Sequence, residues 1–116
     1  MEWVNYCMLP SHPQHELARA QMSGGGSVVS FGLSTEGVTD GGKQRCFDLQ
    51  NALQVIDISN NLGDAKSLIT HPATTTHRAM GPDGRAAIGL TDSMVRLSVG
   101  LENTDDLIRD LDQALG

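Results

Sequence analysis

The chain reads as an α/β domain: a two-layer sandwich in which a sheet of about four strands carries helices packed on it. Three observations predict this. Segments with apolar residues at helical spacing alternate with short segments of period two, the pattern of layered helix and strand. The 116 residues suffice for one domain. Apolar residues make up 39 % of the chain, with 13 glycines besides, which is globular usage and excludes a disordered polymer.

Met1 to Pro10 show no clear period and end in proline, so residues 1–10 read as an irregular lead-in and 11–116 as the domain proper. Pro13 suits the first turn of a helix whose apolar stripe is Leu17, Ala18 and Met22, and Gly24-Gly25-Gly26 ends it. Ser27 to Leu33 alternates, with Val29, Phe31 and Leu33 on one side, which predicts a strand with one buried face. Thr35 to Gly42 is a polar loop. From Lys43 to Leu53, the positions Cys46, Phe47, Leu49, Ala52 and Leu53 fall at helical spacing. Val55, Ile56 and Ile58 make a short strand, Ser59 to Asp64 a turn-rich loop, and Ser67 to Thr70 a second extended piece stopped by Pro72. Thr74-Thr75-Thr76 leads into a helical turn, and Gly81-Pro82-Asp83-Gly84 starts another through Ile88. Met94 to Val99 alternates as a strand. The last helix takes Thr104 as N-cap, Asp105 and Asp106 in the first turn, and Leu107, Ile108, Leu111 and Leu115 as its apolar stripe.

Charge and composition exclude several functions. The net charge is −6 and the eight basic residues are scattered, so no patch suits nucleic acid. No apolar run approaches the roughly 20 residues that span a bilayer, and the N-terminus lacks the pattern of a signal peptide, which makes a cytoplasmic protein the default. Cys7 and Cys46 form no CxxC pair and read as plain thiols. The only aromatics are Trp3, Tyr6, Phe31 and Phe47, so the core is aliphatic with few large anchors, and the domain is expected to rely on a partner surface.

Candidate chemistry is sparse. His12 and His15 lie i, i+3 near Cys7, but without a third fixed ligand they read as capping and surface residues rather than a metal site. His71 and His77 flank the threonine run, where a general base could sit, yet neither has a nucleophile or orienting acid at short range. The three consecutive glycines follow a helix and precede a strand, the reverse of a phosphate loop. Lys43 and Lys66 lie in polar contexts and read as solvated, not as Schiff-base lysines. Arg96 stands out. It sits mid-strand between Val95 and Leu97 and so points to the opposite face, either into solvent or as a planar fork aimed at a carboxylate or phosphate. The pattern alone leaves both open.

The run Asn60-Asn61-Leu62-Gly63-Asp64-Ala65-Lys66-Ser67-Leu68-Ile69-Thr70-His71-Pro72-Ala73-Thr74-Thr75-Thr76-His77, with Val95-Arg96-Leu97-Ser98-Val99-Gly100-Leu101-Glu102, resembles the C-terminal domain of the Cys/Met-metabolism enzymes that use pyridoxal phosphate. His12-Pro13, Leu17-Ala18, Gln21 to Gly26 and Val29-Ser30-Phe31 fit the same family, so the resemblance covers nearly the whole chain. Within the family, the form Asn60 to Ser67 and the three threonines look most like the sulfhydrylases acting on O-succinylhomoserine, with the O-acetylhomoserine enzymes as near neighbours. The resemblance implies a substrate-binding domain that follows a large cofactor-binding domain, in an enzyme assembled from several copies. It implies that Arg96 holds the substrate α-carboxylate and that Asn61 and Thr76 line the same pocket. The family's Schiff-base lysine, ring-nitrogen aspartate, phosphate ligands and stacking tyrosine all belong to its preceding domain. Neither Lys43 nor Lys66 matches the lysine's motif, so pyridoxal phosphate is not expected to be bound covalently here. Cys7-Met8 also stand where the family has Pro-Gly type residues. The implied reaction is γ-replacement of the acyl group by sulfide to give homocysteine. The alternative is a catalytically inactive truncated form serving as an interaction or assembly domain.

Overall fold

The structure, a computed structural model, describes all 116 residues and contains one five-stranded mixed sheet. Its strands are β1 (Trp3–Asn5), β2 (Val28–Gly32), β3 (Asp57–Ile58), β4 (Leu68–Thr70) and β5 (Met94–Ser98), in the spatial order β1-β2-β5-β4-β3. All neighbours are antiparallel except β3 and β4. The helices are α1 (His15–Gln21), α2 (Lys43–Ala52), α3 (Gly81–Ala87) and α4 (Thr104–Leu115), with short 3-10 turns at Pro72–Thr74 and Arg78–Met80. The α/β architecture is as expected, with one strand more than the sequence suggested. Trp3–Asn5, read as irregular, pair with Ser30–Gly32 as an edge strand.

The register fixes the two faces of the sheet. Phe31 pairs with Val95, and Ile69 with Leu97. All four enter one buried cluster with Leu33, Cys46, Leu49, Ile56 and Leu107, so α2 and α4 cover this face. Because side chains alternate along a strand, the cross-strand row Ser30, Arg96 and Thr70 lies on the other face.

Helix starts differ from the sequence reading at two places: α1 begins at His15 with Gln14 in the N-cap position, so Pro13 precedes the helix instead of opening its first turn, and the cap of α4 lies one residue earlier. Asn103, not Thr104, caps α4: its side chain accepts from the Asp105 N–H at 3.0 Å and the Asp106 N–H at 3.3 Å. Upstream, Asp40 accepts from the N–H groups of Gly42 (3.0 Å) and Gln44 (2.8 Å), which satisfies the first turn of α2. Those bonds, the Gln44 one foremost, hold the Asp40 carboxyl below its ordinary range.

Candidate functional site

Arg96 occupies the middle of the central strand β5. Its neighbours Val95 and Leu97, 0 % and 6 % exposed, drive into the core, so the guanidinium leaves on the opposite face, half-buried. There Nη2 donates to the Asn60 carbonyl at 2.8 Å. Nε is shielded from solvent and has no hydrogen-bond partner. A buried donor left unpaired costs about 1–3 kcal/mol, so natural structures hold very few, and those few mark strain or a site completed by something else. Arg96 is thus part-buried, with Nε shielded, and is paired with no carboxylate of its own chain.

The loop that meets Arg96, residues 59–67, is pinned by the segment following it in β5. The Gly63 N–H donates to Ser98 Oγ at 2.9 Å. Glu102 accepts from the Ser67 N–H at 2.8 Å and the Ser67 hydroxyl at 2.7 Å, and these bonds hold its carboxyl below the ordinary range. The Leu101 N–H reaches the Ala65 carbonyl at 2.7 Å, which brings the two backbones together at Gly100. A Cβ there would overlap the Ala65 carbonyl oxygen and lie 2.6 Å from the Lys66 carbonyl carbon, so only glycine fits. Lys66 closes the same loop. Its ammonium donates to the Val55 carbonyl and lies 3.6 Å from Glu102 and 3.9 Å from Asp57, so it is engaged and only part-exposed, contrary to its reading as solvated.

A line of hydroxyls runs beneath Asn60. Thr70 Oγ1 donates to Asn60 Oδ1 at 3.1 Å and lies 2.7 Å from Thr75 Oγ1, which in turn is 2.8 Å from the His71 carbonyl oxygen. His71 is itself buried. Its Nε2 donates to the Asp92 carbonyl at 2.6 Å, Nδ1 faces the Thr74 hydroxyl at 2.8 Å, and its ring meets Phe47 edge-on at 5.2 Å. That is a structural histidine with both nitrogens engaged. Thr70 and Asn60 were not singled out from sequence, because their relation to Arg96 depends on register across β4 and β5.

The remaining candidates separate. Asn61 is exposed and adjoins the residue that holds Arg96, with its N–H on Ser59 Oγ at 3.3 Å. Thr76 lies on the exposed turn after the first 3-10 segment, its hydroxyl 2.8 Å from His77 Nδ1. Neither hydrogen-bonds Arg96. His12 Nδ1 accepts the Gln14 N–H at 3.0 Å, and His15 Nδ1 donates to the Cys7 carbonyl at 3.0 Å, so both rings serve the lead-in to α1. No group of three or more His, Cys, Asp or Glu side chains gathers to hold a metal. Burial pushes the Cys46 thiol up to about 12, which leaves it a packing residue rather than a nucleophile. No helix is long and apolar enough to cross a membrane.

Comparison with known proteins bears directly on this geometry. The family described as Cys/Met metabolism PLP-dependent enzyme matches residues 1–116. An O-succinylhomoserine sulfhydrylase of Mycobacterium tuberculosis is 66 % identical over 99 % of the chain, and one of Pseudomonas aeruginosa 47 % identical over the same share. An L-methionine gamma-lyase of Fusobacterium nucleatum is 44 % identical. The chain spans 28 % of the length of the first and last of these and 27 % of the second. Among solved structures, a protein of Campylobacter jejuni described as an O-acetylhomoserine (thiol)-lyase, carrying an N'-pyridoxyl-lysine-5'-monophosphate, superposes with a TM-score of 0.84 at 37 % identity. That match covers 97 % of this chain and 25 % of the other. The chain with Arg96 at the centre of its sheet therefore belongs to the pyridoxal-phosphate-dependent enzymes of cysteine and methionine metabolism.

Proposed function

We propose that this chain forms the carboxylate-binding side of the substrate site in an O-succinylhomoserine sulfhydrylase, which makes homocysteine from the acyl-homoserine and sulfide. The observation that carries the proposal is the Arg96 fork: Nη2 is steadied by the Asn60 carbonyl while the shielded Nε lacks any partner. The name of the 66 % identical relative supports the sulfhydrylase reading over a lyase one. On this reading, the sheet domain, with β1 of the lead-in as its edge strand, is the substrate-binding domain that follows a cofactor-binding domain, and the whole works as an oligomer in the cytoplasm.

The residues present fit the substrate end of such a site rather than the cofactor's own anchors. A pyridoxal phosphate site needs a lysine amine free to react. Lys66 is occupied by the Val55 carbonyl and two carboxylates, and Lys43 opens α2, which packs on the sheet face away from Arg96. When bound, the cofactor withdraws electrons so that protons can leave Cα and Cβ before the acyl group departs from Cγ.

This chain's part is orientation. A guanidinium meets a planar carboxylate through two parallel N–H···O bonds, which fixes one end of the amino acid and hence which Cα bond faces the reacting centre. The Asn60 carbonyl draws on one N–H and limits rotation of the fork. Asn61 and Thr76 offer an amide and a hydroxyl at the pocket wall and carry no proton in the reaction.

In the full-length enzyme, Arg96→Lys keeps the charge but loses the fork. Steady-state kinetics should show KM for O-succinylhomoserine raised by about 10- to 100-fold, with kcat reduced less. An unchanged KM would sink the assignment. A higher kcat/KM for the O-succinyl than for the O-acetyl substrate is expected alongside, and the reverse preference would move the chain to the neighbouring enzyme class.

A further inference from the structure

We propose that Thr70 is a positioning residue for Arg96: acting through Asn60, its hydroxyl sets the direction in which the guanidinium meets the substrate carboxylate. The inference rests on the carboxylate-binding reading of Arg96 and adds a residue to it.

Thr70 pairs directly with Arg96 in the β4–β5 register, so the two side chains leave the same face as nearest cross-strand neighbours. It is 1 % exposed, yet it makes no bond to the guanidinium. Both residues instead meet at Asn60. The side-chain oxygen of Asn60 accepts the Thr70 hydroxyl at 3.1 Å, and its main-chain oxygen accepts Arg96 Nη2 at 2.8 Å. Asn60 is an exposed loop residue whose amide side chain has no other hydrogen bond, so Thr70 is its tether.

Thr70 is held in turn. Thr75 Oγ1 lies 2.7 Å from Thr70 Oγ1 and donates to the His71 carbonyl at 2.8 Å, so the Thr70 hydroxyl packs against a second, anchored one. The β-branched side chain of Thr70 has few rotamers to lose, which suits a fixed support. Valine has nearly the same shape and a strong preference for a buried strand, so Thr70→Val removes the hydroxyl with little change in packing. Without the hydroxyl, the Asn60 side chain is released, its carbonyl, still next to the Ser59 N–H bond to the Ile69 carbonyl at 3.0 Å, restrains Nη2 less firmly, and the guanidinium must be ordered further when substrate binds. The penalty falls on carboxylate binding and leaves the chemical step nearly untouched.

The test uses the full-length holoenzyme with Thr70→Val, Thr70→Ser, Asn60→Ala, Arg96→Lys and the Thr70→Val/Arg96→Lys double variant. Calorimetry measures binding of glycine, which has the carboxylate and no leaving group, and of methylamine, the same amine without it. Thr70→Val should weaken glycine by about 5- to 10-fold, the scale of one neutral hydrogen bond, and leave methylamine within about twofold. KM for O-succinylhomoserine should rise in parallel, with kcat within about threefold of the parent. Thr70→Ser should restore both values. Asn60→Ala, in an exposed loop, should reproduce the glycine loss even where Thr70→Val folds poorly. The double variant should bind glycine no more weakly than Arg96→Lys alone. Parental glycine binding in both Thr70→Val and Asn60→Ala, or equal weakening of glycine and methylamine, overturns the role of Thr70. If Arg96→Lys itself leaves glycine binding unchanged, the carboxylate-binding reading falls with it. If Arg96→Lys weakens glycine while Thr70→Val and Asn60→Ala do not, that reading stands and only the Thr70 assignment fails.

Discussion

Asp110 shows how a single side chain can hold two elements together. It projects from α4 at 4 % exposure and accepts the N–H groups of Gln54 at 2.8 Å and of Val55 and Ile56 at 2.9 Å each. These are donors that the end of α2 and the entry to β3 would otherwise leave unpaired. Burial alone would raise its carboxyl, but the three N–H bonds outweigh it and hold the group below its ordinary range. A carboxyl depressed in the folded state stabilises above the unfolded value of about 3.9, and that contribution fades as pH falls through 3.9 toward the folded value. Asp110→Asn turns an amide toward donors that need an acceptor. Urea denaturation at pH 7 should show a loss of about 2–3 kcal/mol, smaller at pH 3 because below about 3.9 the unfolded parent takes up the proton and part of the stabilisation has gone. An equal loss at both pH values would mean that the charge is not what matters. The residue was invisible in the sequence because its neighbours misled: Ile108, assigned to the apolar stripe, is 58 % exposed, and the inward stripe is Leu107, Asp110, Leu111 and Ala114. A polar residue at a core position can be read only when the donors it serves are known.

At the scale of elements, strong periodicity was legible and weak pairing was not. β2, β5 and α4 carry clear patterns because each buries one face against the others, whereas α2, which buries Gln50 beside Cys46 and Leu49, is only weakly amphipathic. β1 and β3 are edge strands of three and two residues, too short to show a period, and they exist only through their neighbours. Trp3 is held by close approach: it pairs with Gly32, where a Cβ would overlap the indole, a fact lodged in the partner rather than in the strand. Helix α4 gives a local test. Asn103 accepts two N–H groups, whereas Thr104, the first helical residue, makes no capping bond. Asn103→Ala should cost about 1 kcal/mol in denaturant unfolding and Thr104→Ala less than about 0.5. Equal costs would return the cap to Thr104.

Over the whole molecule, the two faces of the sheet differ in what they present. One face is closed by α2 and α4 over the aliphatic core, and the other presents the row Ser30, Arg96 and Thr70 beneath the loop that Ser98, Gly100 and Glu102 hold in place. Arg96 was legible as an anomaly within its strand, and the family resemblance implied a carboxylate for it, but its supports were not legible, since Asn60 and Thr70 meet it only through long-range register. The same division says what this chain does when mixed with pyridoxal phosphate in isolation. A lysine reacts readily with an aldehyde when its amine is unprotonated and free. Lys66 is tied to the Val55 carbonyl and flanked by the carboxylates of Glu102 and Asp57, and Lys43 opens α2, which packs on the sheet face opposite Arg96. Equimolar cofactor followed by borohydride reduction should therefore leave the intact mass of the purified 116-residue chain largely unmodified, with any trace adduct spread over several amines. A single stoichiometric adduct at Lys43 or Lys66 would show that this chain carries a cofactor lysine of its own, and would overturn its assignment to the substrate side alone.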